Sequence, residues 1–502
     1  MRLLTTVLLT LSGLFGTAFL LADQSMMNEC KDFKVTLNKT QYELSPLGGD
    51  QDDAEAIMCA LNSANKQAPG NAKVKLLKAG LENPFNLKSV IDVTGFNGTL
   101  EGAGMDKTLV QLADYAFDCS SEKVRPIMFR GGSVTLQYMT IAANKICESD
   151  AQEGAGQRND TSLARPSVMP AGPAKEPTQY RTEGGDEGDE GDGTEGENAR
   201  RYTLVSFAQE SCAKRAHFAV IDRVRLIGLS DDDGPYTNTG LSYFGTVDGS
   251  CEEEGKGPTG TLKINRSEVT GFDTGIYSSV VGQGQVDINF NTIRSKAWGI
   301  YVQDANQAMT VQGNKIYVGD QAYGKSGYPW CYLVGVEVAA SSDWAPDQNR
   351  SWFSNNQISI GAYSPGGCDN IQALGIIVGA WNEARPKRHS VAILNNTINM
   401  PQELQAPVSY GTGISVQDTD DAIIQNNRFT GAGDTGIYFG DWAFFEDITG
   451  GQISGNSFKN YQTDREYYLG LNTKNSIIYR FSKDDRVEGP SPENNFILDP
   501  DN

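Results

Sequence analysis

Ile393-Leu-Asn-Asn396-Thr-Ile398 is the stretch that decides the fold, because the same phrase recurs along the second half of the chain. Its Asn position returns as Asn291, Asn314, Asn356, Asn427 and Asn456, each followed two residues later by Ile or Phe, and a degenerate copy carries Ser267 in the Asn slot. Successive Asn residues lie 23, 42, 40, 31 and 29 positions apart. An internal repeat of this length predicts a solenoid in which each repeat forms one coil.

A second phrase, Gly followed by aliphatic residues at alternate positions, lies between the Asn copies. It begins at Gly275, Gly299, Gly335, Gly375, Gly413 and Gly436. Period-two alternation is typical of half-buried strands, and Asn and Gly tolerate the positive φ found at corners. The 23-residue step matches one bare coil of a parallel β-helix, and the longer steps match a coil plus a loop. We therefore expect an all-β parallel β-helix whose Asn amides stack into a hydrogen-bonded ladder.

The N-terminus has the composition of a secretory signal peptide. Arg2 precedes an apolar run from Leu3 to Leu21, and Ala22 precedes a polar start at Asp23; an uncleaved membrane anchor is the alternative. We predict a signal peptide at 1–22, an N-terminal cap region at 23–85, the β-helix at 86–490 and a C-terminal tail at 491–502. Export implies a secreted or periplasmic protein, which we expect to be monomeric.

The acidic sequence just after the signal predicts a capping helix. Asp50-Gln-Asp-Asp53 is followed by apolar residues at helical spacing, and a helix there would cover the open strand edges at the end of the solenoid. The chain carries 63 acidic and 42 basic residues, a net charge of −21, which argues against nucleic acid as a partner. Much of this charge lies in residues 148–200, which we interpret as a disordered acidic insertion; weak calcium binding there is the alternative.

Eight cysteines in an exported chain favour disulfide bonds. Cys30–Cys59 would pin the N-terminal cap and Cys212–Cys251 would bracket one coil. Cys331 and Cys368 precede strands on neighbouring coils, so they can bridge adjacent loops, and Cys119–Cys147 remains by elimination.

These features resemble the pectate-lyase-like superfamily of right-handed β-helix proteins. The resemblance is carried by the Asp-Asp-x-x-Ala-Ile stretch at 52–57, the segment at 98–110 and the Asn-corner coils, and it covers most of residues 45–490. It implies a right-handed parallel β-helix and, since family members bind sugar chains beside one sheet, a polysaccharide as partner. That superfamily contains lyases, hydrolases, esterases, epimerases and non-catalytic proteins, and no single catalytic family's motif is present here.

Three consecutive coils carry long loops at the same edge. The gap from the Asn to the next Gly strand is 21, 19 and 17 residues in these coils, against 8 and 9 in their neighbours. Long loops on a rigid scaffold are where function concentrates. We expect them to form a wall beside the Gly-Ile-x-Val sheet.

Alternation predicts which side chains form the floor beside that wall. The outward positions are Tyr277, Tyr301, Glu337, Ile377, Ser415 and Tyr438, with Gln303 and Gln417 two residues farther along. Aromatic rings stack on sugars and amides bind hydroxyls. Glu337, the carboxylate among them, would have a raised pKa between aromatic neighbours and could act as an acid or base. The alternative is an exposed Glu on a sheet stabilised by stacked tyrosines.

A second candidate group follows the same strands. Asp304, Asp418 and Asp441 each lie five residues after their Gly. Asp418 and Asp441 would be neighbours on adjacent coils, close enough for a retaining-type carboxylate pair or a calcium site, with Asp304 as a further candidate calcium ligand. Trp381 and Trp442 each lie six residues after their Gly, and Trp344 directly follows Asp343. Trp beside Asp is frequent in carbohydrate-binding sites. Ordinary turn aspartates are the alternative.

A basic cluster, Arg385-Pro-Lys387, stands out in an otherwise acidic protein. In a lyase, Arg385 or Lys387 could neutralise a uronate carboxylate while Tyr301 or Tyr438 passes a proton; a solvated turn is the alternative. Our leading expectation is a polysaccharide lyase acting on an acidic glycan. A glycoside hydrolase using Asp418 and Asp441, or a non-catalytic glycan-binding or structural β-helix, are the alternatives.

Overall fold

The computed structural model describes residues 30, 33–38, 40–114, 116–117, 124–143, 200–208, 217–228, 236–244, 260–279, 285–303, 309–319, 332–340, 350–361, 371–380, 388–402, 408–417, 419–440, 448–470, 473–489 and 495–499. The predicted signal peptide and residues 148–199 of the acidic insertion lie outside these ranges. Within them, no helix is long and apolar enough to cross a membrane.

The fold is a right-handed parallel β-helix, as predicted. Among the described residues, one sheet system of 34 hydrogen-bonded strands winds around the lumen, and its pairings there are parallel apart from an antiparallel hairpin of Val35–Asn38 with Gln41–Leu44. Each full coil crosses three faces, which we call the first, second and third sheets in chain order. Parallel coils bury their aliphatic residues against the coils above and below, so the lumen is one continuous core.

The first sheet precedes the Asn corner. Its strands are Gln41–Leu44, Ala72–Leu76, Asn97–Glu101, Thr261–Asn265, Gln285–Asn289, Met309–Gln312, Ser351–Ser354, Val391–Leu394, Ile423–Gln425, Gln452–Ser454, Ile477–Tyr479 and Phe496–Leu498. Two long strands, Ser133–Ala143 and Phe218–Ile227, continue from the first sheet into the second.

The second sheet follows the Asn corner. It contains Phe85–Leu87, Leu109–Leu112, Lys315–Val318, Gln357–Ile360, Thr397–Asn399, Arg428–Ala432 and Ser457–Gln462. Two strands, Glu268–Ser279 and Thr292–Gln303, run on from the second sheet into the third.

The third sheet carries the Gly phrase. It contains Ile91–Thr94, Ile127–Arg130, Arg200–Ala208, Tyr236–Phe244, Tyr332–Ala340, Ile371–Ala380, Val408–Gln417, Thr435–Gly440, Arg465–Leu469 and Val487–Glu488. Two small separate pairs, Arg388–His389 with Thr419–Asp420 and Ile448–Thr449 with Thr473–Lys474, lie between the third and first sheets in chain order.

A helix, Ala54–Gln67, covers the N-terminal end as predicted. Its alanines, Ile57 and Leu61 are buried against the first coils. The preceding aspartates do more than mark the helix start: Asp53 accepts hydrogen bonds from the main-chain N–H groups of Leu47 and Asn86, and Asp52 accepts from Lys88 N–H and Ser89 Oγ. Burial raises the pKa of Asp53. The acidic pair therefore ties the helix to neighbouring loops.

The predicted Cys30–Cys59 disulfide is present and joins the chain before the first strand to this helix, with a Cα–Cα distance of 5.9 Å. The other six cysteines, whose pairings we predicted, lie outside the described residues: Cys119, Cys147, Cys212, Cys251, Cys331 and Cys368.

The predicted Asn ladder is confirmed. Five successive side-chain amides, from Asn291 to Asn427, donate from Nδ2 to the Oδ1 of the next Asn at 2.9–3.0 Å. The same Nδ2 groups donate to a carbonyl of the preceding coil, and each Oδ1 also accepts the main-chain N–H of the preceding ladder Asn. The ladder residues are 0–2% exposed. Every polar atom of the inner amides is thereby satisfied in the core.

The positive φ at this corner falls one residue earlier than the sequence pattern suggested. The ladder Asn residues have no positive φ, whereas the residues directly before them have φ of 56–65°: Phe290, Gly313, Asn355, Asn395, Asn426 and Gly455. The three preceding coils have Met139, Val224 or Ser267 in place of the ladder Asn, and the residue before each also has positive φ, 50–59°: Tyr138, Arg223 and Arg266. The ladder Asn is therefore required for its side chain and its predecessor for the turn.

A row of rings fills the lumen near the N-terminal end. Phe129 stacks on Phe207, and His217 lies between Phe207 and Tyr243 with centroid distances of 5.9 and 5.6 Å. The Gly132 carbonyl accepts from His217 Nδ1 at 3.0 Å, while Nε2 is buried without a hydrogen-bond partner. Burial therefore lowers the pKa of His217 to about 4.

Replacement of a ladder residue should be costly. In Asn356→Ala, the N–H and Nδ2 of Asn314 lose their acceptor and the Val311 carbonyl loses a donor, which we expect to cost about 3–5 kcal/mol of unfolding free energy. Asn355→Gly, at the exposed positive-φ position, is the matched control and should change little. Urea unfolding of both variants measures the difference; a loss below about 1 kcal/mol for Asn356→Ala would contradict the role assigned to the ladder.

His217 should make the protein acid-sensitive. Its folded pKa of about 4 lies below the ordinary 6.5, so the unfolded chain binds the proton first as the pH falls. Its contribution to stability is present above pH 6.5 and is lost progressively down to about pH 4, by about 3 kcal/mol. Relative to His217→Phe, which keeps a ring in the stack, the wild type should lose that amount between these pH values in urea titrations. Parallel pH profiles for the two proteins would refute this assignment.

Candidate functional site

The predicted outward column of the third sheet is confirmed by the strand register. Tyr277 pairs with Tyr301, Tyr301 with Glu337, Glu337 with Ile377, Ile377 with Ser415, and Ser415 with Tyr438. The column extends to Tyr468 on the next coil. Coils lie about 4.8 Å apart, so these side chains form a straight row with one side chain per coil.

The recurrence of Gly at the start of this phrase has a steric cause that differs from the one expected. The repeat glycines have no positive φ. A Cβ on Gly299 would lie 2.4 Å from Ile316 Cγ2 and 2.5 Å from the Gly335 carbonyl oxygen, and Gly335 and Gly375 are equally crowded. These glycines are required because the backbones of successive coils approach closely where the chain turns into the third sheet.

This turn places additional apolar side chains outside the lumen. Trp298, Val334 and Leu374, each just before a repeat Gly, are paired in register and form a second core cluster with Ala297 and Ile377. Sequence reasoning missed this cluster because strict alternation across the Gly would have put these residues inside. The signal in the sequence was an apolar residue directly before the repeat Gly on three successive coils.

Glu337 lies against this external cluster and is 5% exposed. The Trp298 indole Nε1–H donates to Glu337 Oε2 at 2.7 Å. Burial raises the pKa of Glu337 to about 7, and the Trp298 hydrogen bond opposes that rise only in part. The direction agrees with the raised pKa predicted from the sequence, but the side chain is buried, not exposed as in the alternative. Glu337 is therefore a proton donor and acceptor balanced near neutral pH.

Tyrosines surround this carboxyl group along and beside the column. Tyr332 packs against Trp298 at a centroid distance of 6.2 Å, and burial, assisted by the charge of Glu337, raises its pKa to about 12. The ring centroids of Tyr277 and Tyr301 lie 5.4 Å apart, and the Tyr277 hydroxyl donates a hydrogen bond to Gln303 Oε1 at 3.0 Å. The surface on one side of Glu337 is thus aromatic with amide groups at its edge.

The other side of the column is more polar. Gln417 is buried and donates from Nε2 to Ser415 Oγ at 2.8 Å, whereas its Oε1 is buried without a hydrogen-bond partner. Tyr438 is also buried and stacks on Tyr468 with centroids 5.5 Å apart and an interplanar angle of 16°. The Gln417 amide oxygen is therefore a buried acceptor without a hydrogen-bond donor from the protein.

The remaining predicted site residues lie outside the described residues: Asp304, Trp344, Trp381, Arg385, Lys387, Asp418, Asp441 and Trp442. In the part of the chain that is described, no group of three or more His, Cys, Asp or Glu side chains could hold a metal ion. The second-sheet strands that precede the three long loops are paired in register, and so are the third-sheet strands that follow them. All three loops therefore start and finish at the edge between the second and third sheets. That edge is where the external apolar cluster lies.

Similarity to the known proteins described below is low both in sequence and in structural score. No protein-family model and no curated protein sequence matches the chain. Among solved structures, tailspike protein 2 of an Escherichia coli O157:H7 bacteriophage shares 12% identity with a TM-score of 0.41, covering 90% of this chain and 45% of the tailspike, so the chain spans less than half of that protein.

Two further structures are similar over nearly their full length. The DFA-IIIase from Arthrobacter chlorophenolicus A6 shares 11% identity, with a TM-score of 0.49 and coverage of 92% of this chain and 99% of that chain. The A-module of a mannuronan C-5 epimerase from Azotobacter vinelandii shares 11% identity, with a TM-score of 0.38 and coverage of 94% and 99%. The parallel β-helix fold follows from the strand pairing of this chain itself, and the structural matches, at these identities and TM-scores, assign no activity.

The Trp298 fluorescence should report the ionisation of Glu337. Because the pKa of Glu337 is raised from 4.5 to about 7, the buried carboxylate forms above neutral pH, and the folded state loses about 3 kcal/mol of stability as the pH rises from about 4.5 through 7. We expect an emission change with an inflection near pH 7 that is absent in Glu337→Gln. Glu337→Gln should also have a higher free energy of unfolding than the wild type at pH 8, but not at pH 4. An inflection that persists in Glu337→Gln would show that another group titrates.

Proposed function

We propose that this protein is an exported polysaccharide-active enzyme that binds a glycan chain along the outward column of the third sheet. The observation that carries the proposal is Glu337, a buried carboxyl group with a pKa of about 7 set in a row with Tyr277 and Tyr301. General acid–base catalysis is most effective when the pKa lies near the working pH. Tyrosine rings on neighbouring coils offer stacking surfaces for successive sugars.

We favour a lyase acting on an acidic glycan. In β-elimination, a base removes the proton on the carbon next to the uronate carboxylate, a carbon–carbon double bond forms, and the glycosidic carbon–oxygen bond breaks as its oxygen takes up a proton. Glu337 in its ionised form would accept the first proton, and Tyr301, on the adjoining coil, would deliver the second. Tyr438, the other predicted proton donor, lies three coils from Glu337, roughly 14 Å along the column, which is too far for this step. Arg385 or Lys387 remains our prediction for the cation that stabilises the enolate-like charge.

The arrangement of carboxyl groups supports elimination over hydrolysis. Within the described part of the column between Tyr277 and Tyr468, Glu337 is the single acidic side chain, whereas hydrolysis ordinarily uses two carboxyl groups. A hydrolase would need Asp418 or Asp441 as the second group, with protonated Glu337 as the acid. The low exposure of Glu337 fits either chemistry, because exclusion of water strengthens electrostatic interactions at the reacting atoms.

The test is an activity assay on the mature chain from Asp23 with polygalacturonate, alginate, hyaluronan and neutral glucans, with calcium and then with a chelator. A lyase produces both new reducing ends and an unsaturated product that absorbs in the ultraviolet. Glu337→Gln should lower kcat by at least about 100-fold, the usual contribution of a general acid or base, and the wild-type rate should fall below about pH 7 as Glu337 becomes protonated.

Glu488→Gln is the matched control, because Glu488 occupies the same column on the final coil but is exposed. It should leave the rate unchanged. Reducing ends without unsaturated product would replace the lyase with a hydrolase and direct attention to Asp418 and Asp441. Binding without turnover on all of these polymers, in the wild type as in Glu337→Gln, would replace the enzyme with a glycan-binding or structural β-helix.

A further inference from the structure

In the N-terminal half of the β-helix, the corner between the first and second sheets has unusual residues at its positive-φ position. On five of the nine coils with positive φ at this corner, the residue is Gly or Asn, which tolerate that backbone conformation. On the other four coils, which are consecutive, it is Tyr138, Arg223, Arg266 or Phe290, with φ of 50–59°. Large side chains are unfavourable there, so each of these coils is strained relative to the Asn or Gly alternative.

Burial does not offset this strain. The side chains of Arg223 and Arg266 are 39% and 53% exposed, and Phe290 is 60% exposed as a residue. The Phe290 ring lies against the backbone of Gly313 on the next coil, where an added Cβ would come within 2.6 Å of it. A glycine at position 313 therefore makes room for an aromatic ring that remains largely open to solvent.

The four side chains form an ordered surface row. They occupy the same corner position on coils that are paired in register, so they are spaced by about 4.8 Å. The Arg223 guanidinium lies over the Tyr138 ring at 5.2 Å from its centroid, and it donates to the Tyr138 hydroxyl. Arg266 donates to Asp222, whose carboxylate also lies 3.9 Å from Arg223. One carboxylate thus positions two guanidinium groups, and the row keeps a positive charge.

We propose that this row, Tyr138–Arg223–Arg266–Phe290, is a second glycan-binding surface that takes a chain bearing carboxylate or sulfate groups. Guanidinium groups bind such anions through paired N–H donors, and the rings at the two ends offer stacking faces to the flanking sugars. A net charge of −21 would otherwise repel an anionic polymer, so a local cationic row is useful for holding one. The row lies at the corner between the first and second sheets, apart from the Glu337 column on the third sheet.

The choice of a glycan as ligand rests on the proposed function, whereas the location of the binding surface rests on the backbone strain and exposure of the row. If the row anchors a polymer, its backbone strain is retained for the sake of binding. Replacing the row's side chains by Asn should then stabilise the protein and weaken its complex with the polymer. If the row serves stability through its stacking and ion pairs, the same substitutions should destabilise the protein. The two roles therefore predict opposite changes in Tm.

The experiment compares the triple variant Arg223→Asn, Arg266→Asn, Phe290→Asn with the wild type, both in a Glu337→Gln background so that no polymer is consumed. We expect Tm to rise by about 2 °C per substitution and the affinity for long polygalacturonate or dextran sulfate, measured by calorimetry, to fall at least tenfold, with neutral dextran bound by neither protein. Comparison of the two anionic polymers shows whether carboxylate or sulfate is preferred. Arg428→Asn, which removes one exposed Arg of the second sheet, is the control for loss of positive charge away from the row and should change neither quantity.

Unchanged affinity for both anionic polymers, or a lower Tm in the triple variant, would overturn the proposal. Failure of the catalytic proposal is detected separately, because it appears as absent turnover in the protein with Glu337 intact. Binding at the row is measured without turnover, and the triple variant with Glu337 restored should still cleave short oligosaccharides that span only the third sheet.

Discussion

The stacked Asn amides at the corner between the first and second sheets hold successive coils of the β-helix in place. A chain that turns between parallel sheets leaves main-chain N–H and C=O groups that the strands cannot pair, and burying them unpaired costs free energy. The amides from Asn291 to Asn456 satisfy these groups and one another. Since each amide needs the next at hydrogen-bond distance, the ladder also sets the register between coils.

That register has consequences on the opposite side of the coil. When Asn lies over Asn, Gly lies over Gly at the turn into the third sheet, and the outward residues of that sheet align into one column. The close approach at the glycines lets Trp298, Val334 and Leu374 lie outside the lumen. The low-polarity environment of Glu337 therefore follows from backbone packing. Trp298 belongs to the apolar cluster that buries the carboxyl group, and its indole N–H donates a hydrogen bond to Glu337.

Two buried titratable groups show how the same physical cause acts in opposite directions. Burial disfavours charge, so it lowers the pKa of His217 in the lumen and raises that of Glu337 on the outside of the third sheet. His217 is stacked between Phe207 and Tyr243 and serves the core. Glu337 is placed beside tyrosines on an outer face, where a group that exchanges protons near neutrality can meet a ligand.

The sequence by itself determined the solenoid, the Asn ladder, the capping helix, the Cys30–Cys59 bridge and the register of Tyr277, Tyr301 and Glu337, because these follow from local periodicity repeated coil after coil. It could not determine the burial of Glu337, since its partner Trp298 is 39 residues away and crosses to the outer side at a glycine. Nor could it show that the positive φ belongs to the residue before each ladder Asn, which exposed the unusual row from Tyr138 to Phe290. Such features depend on which side chains the coils bring together, and only the tertiary structure decides that.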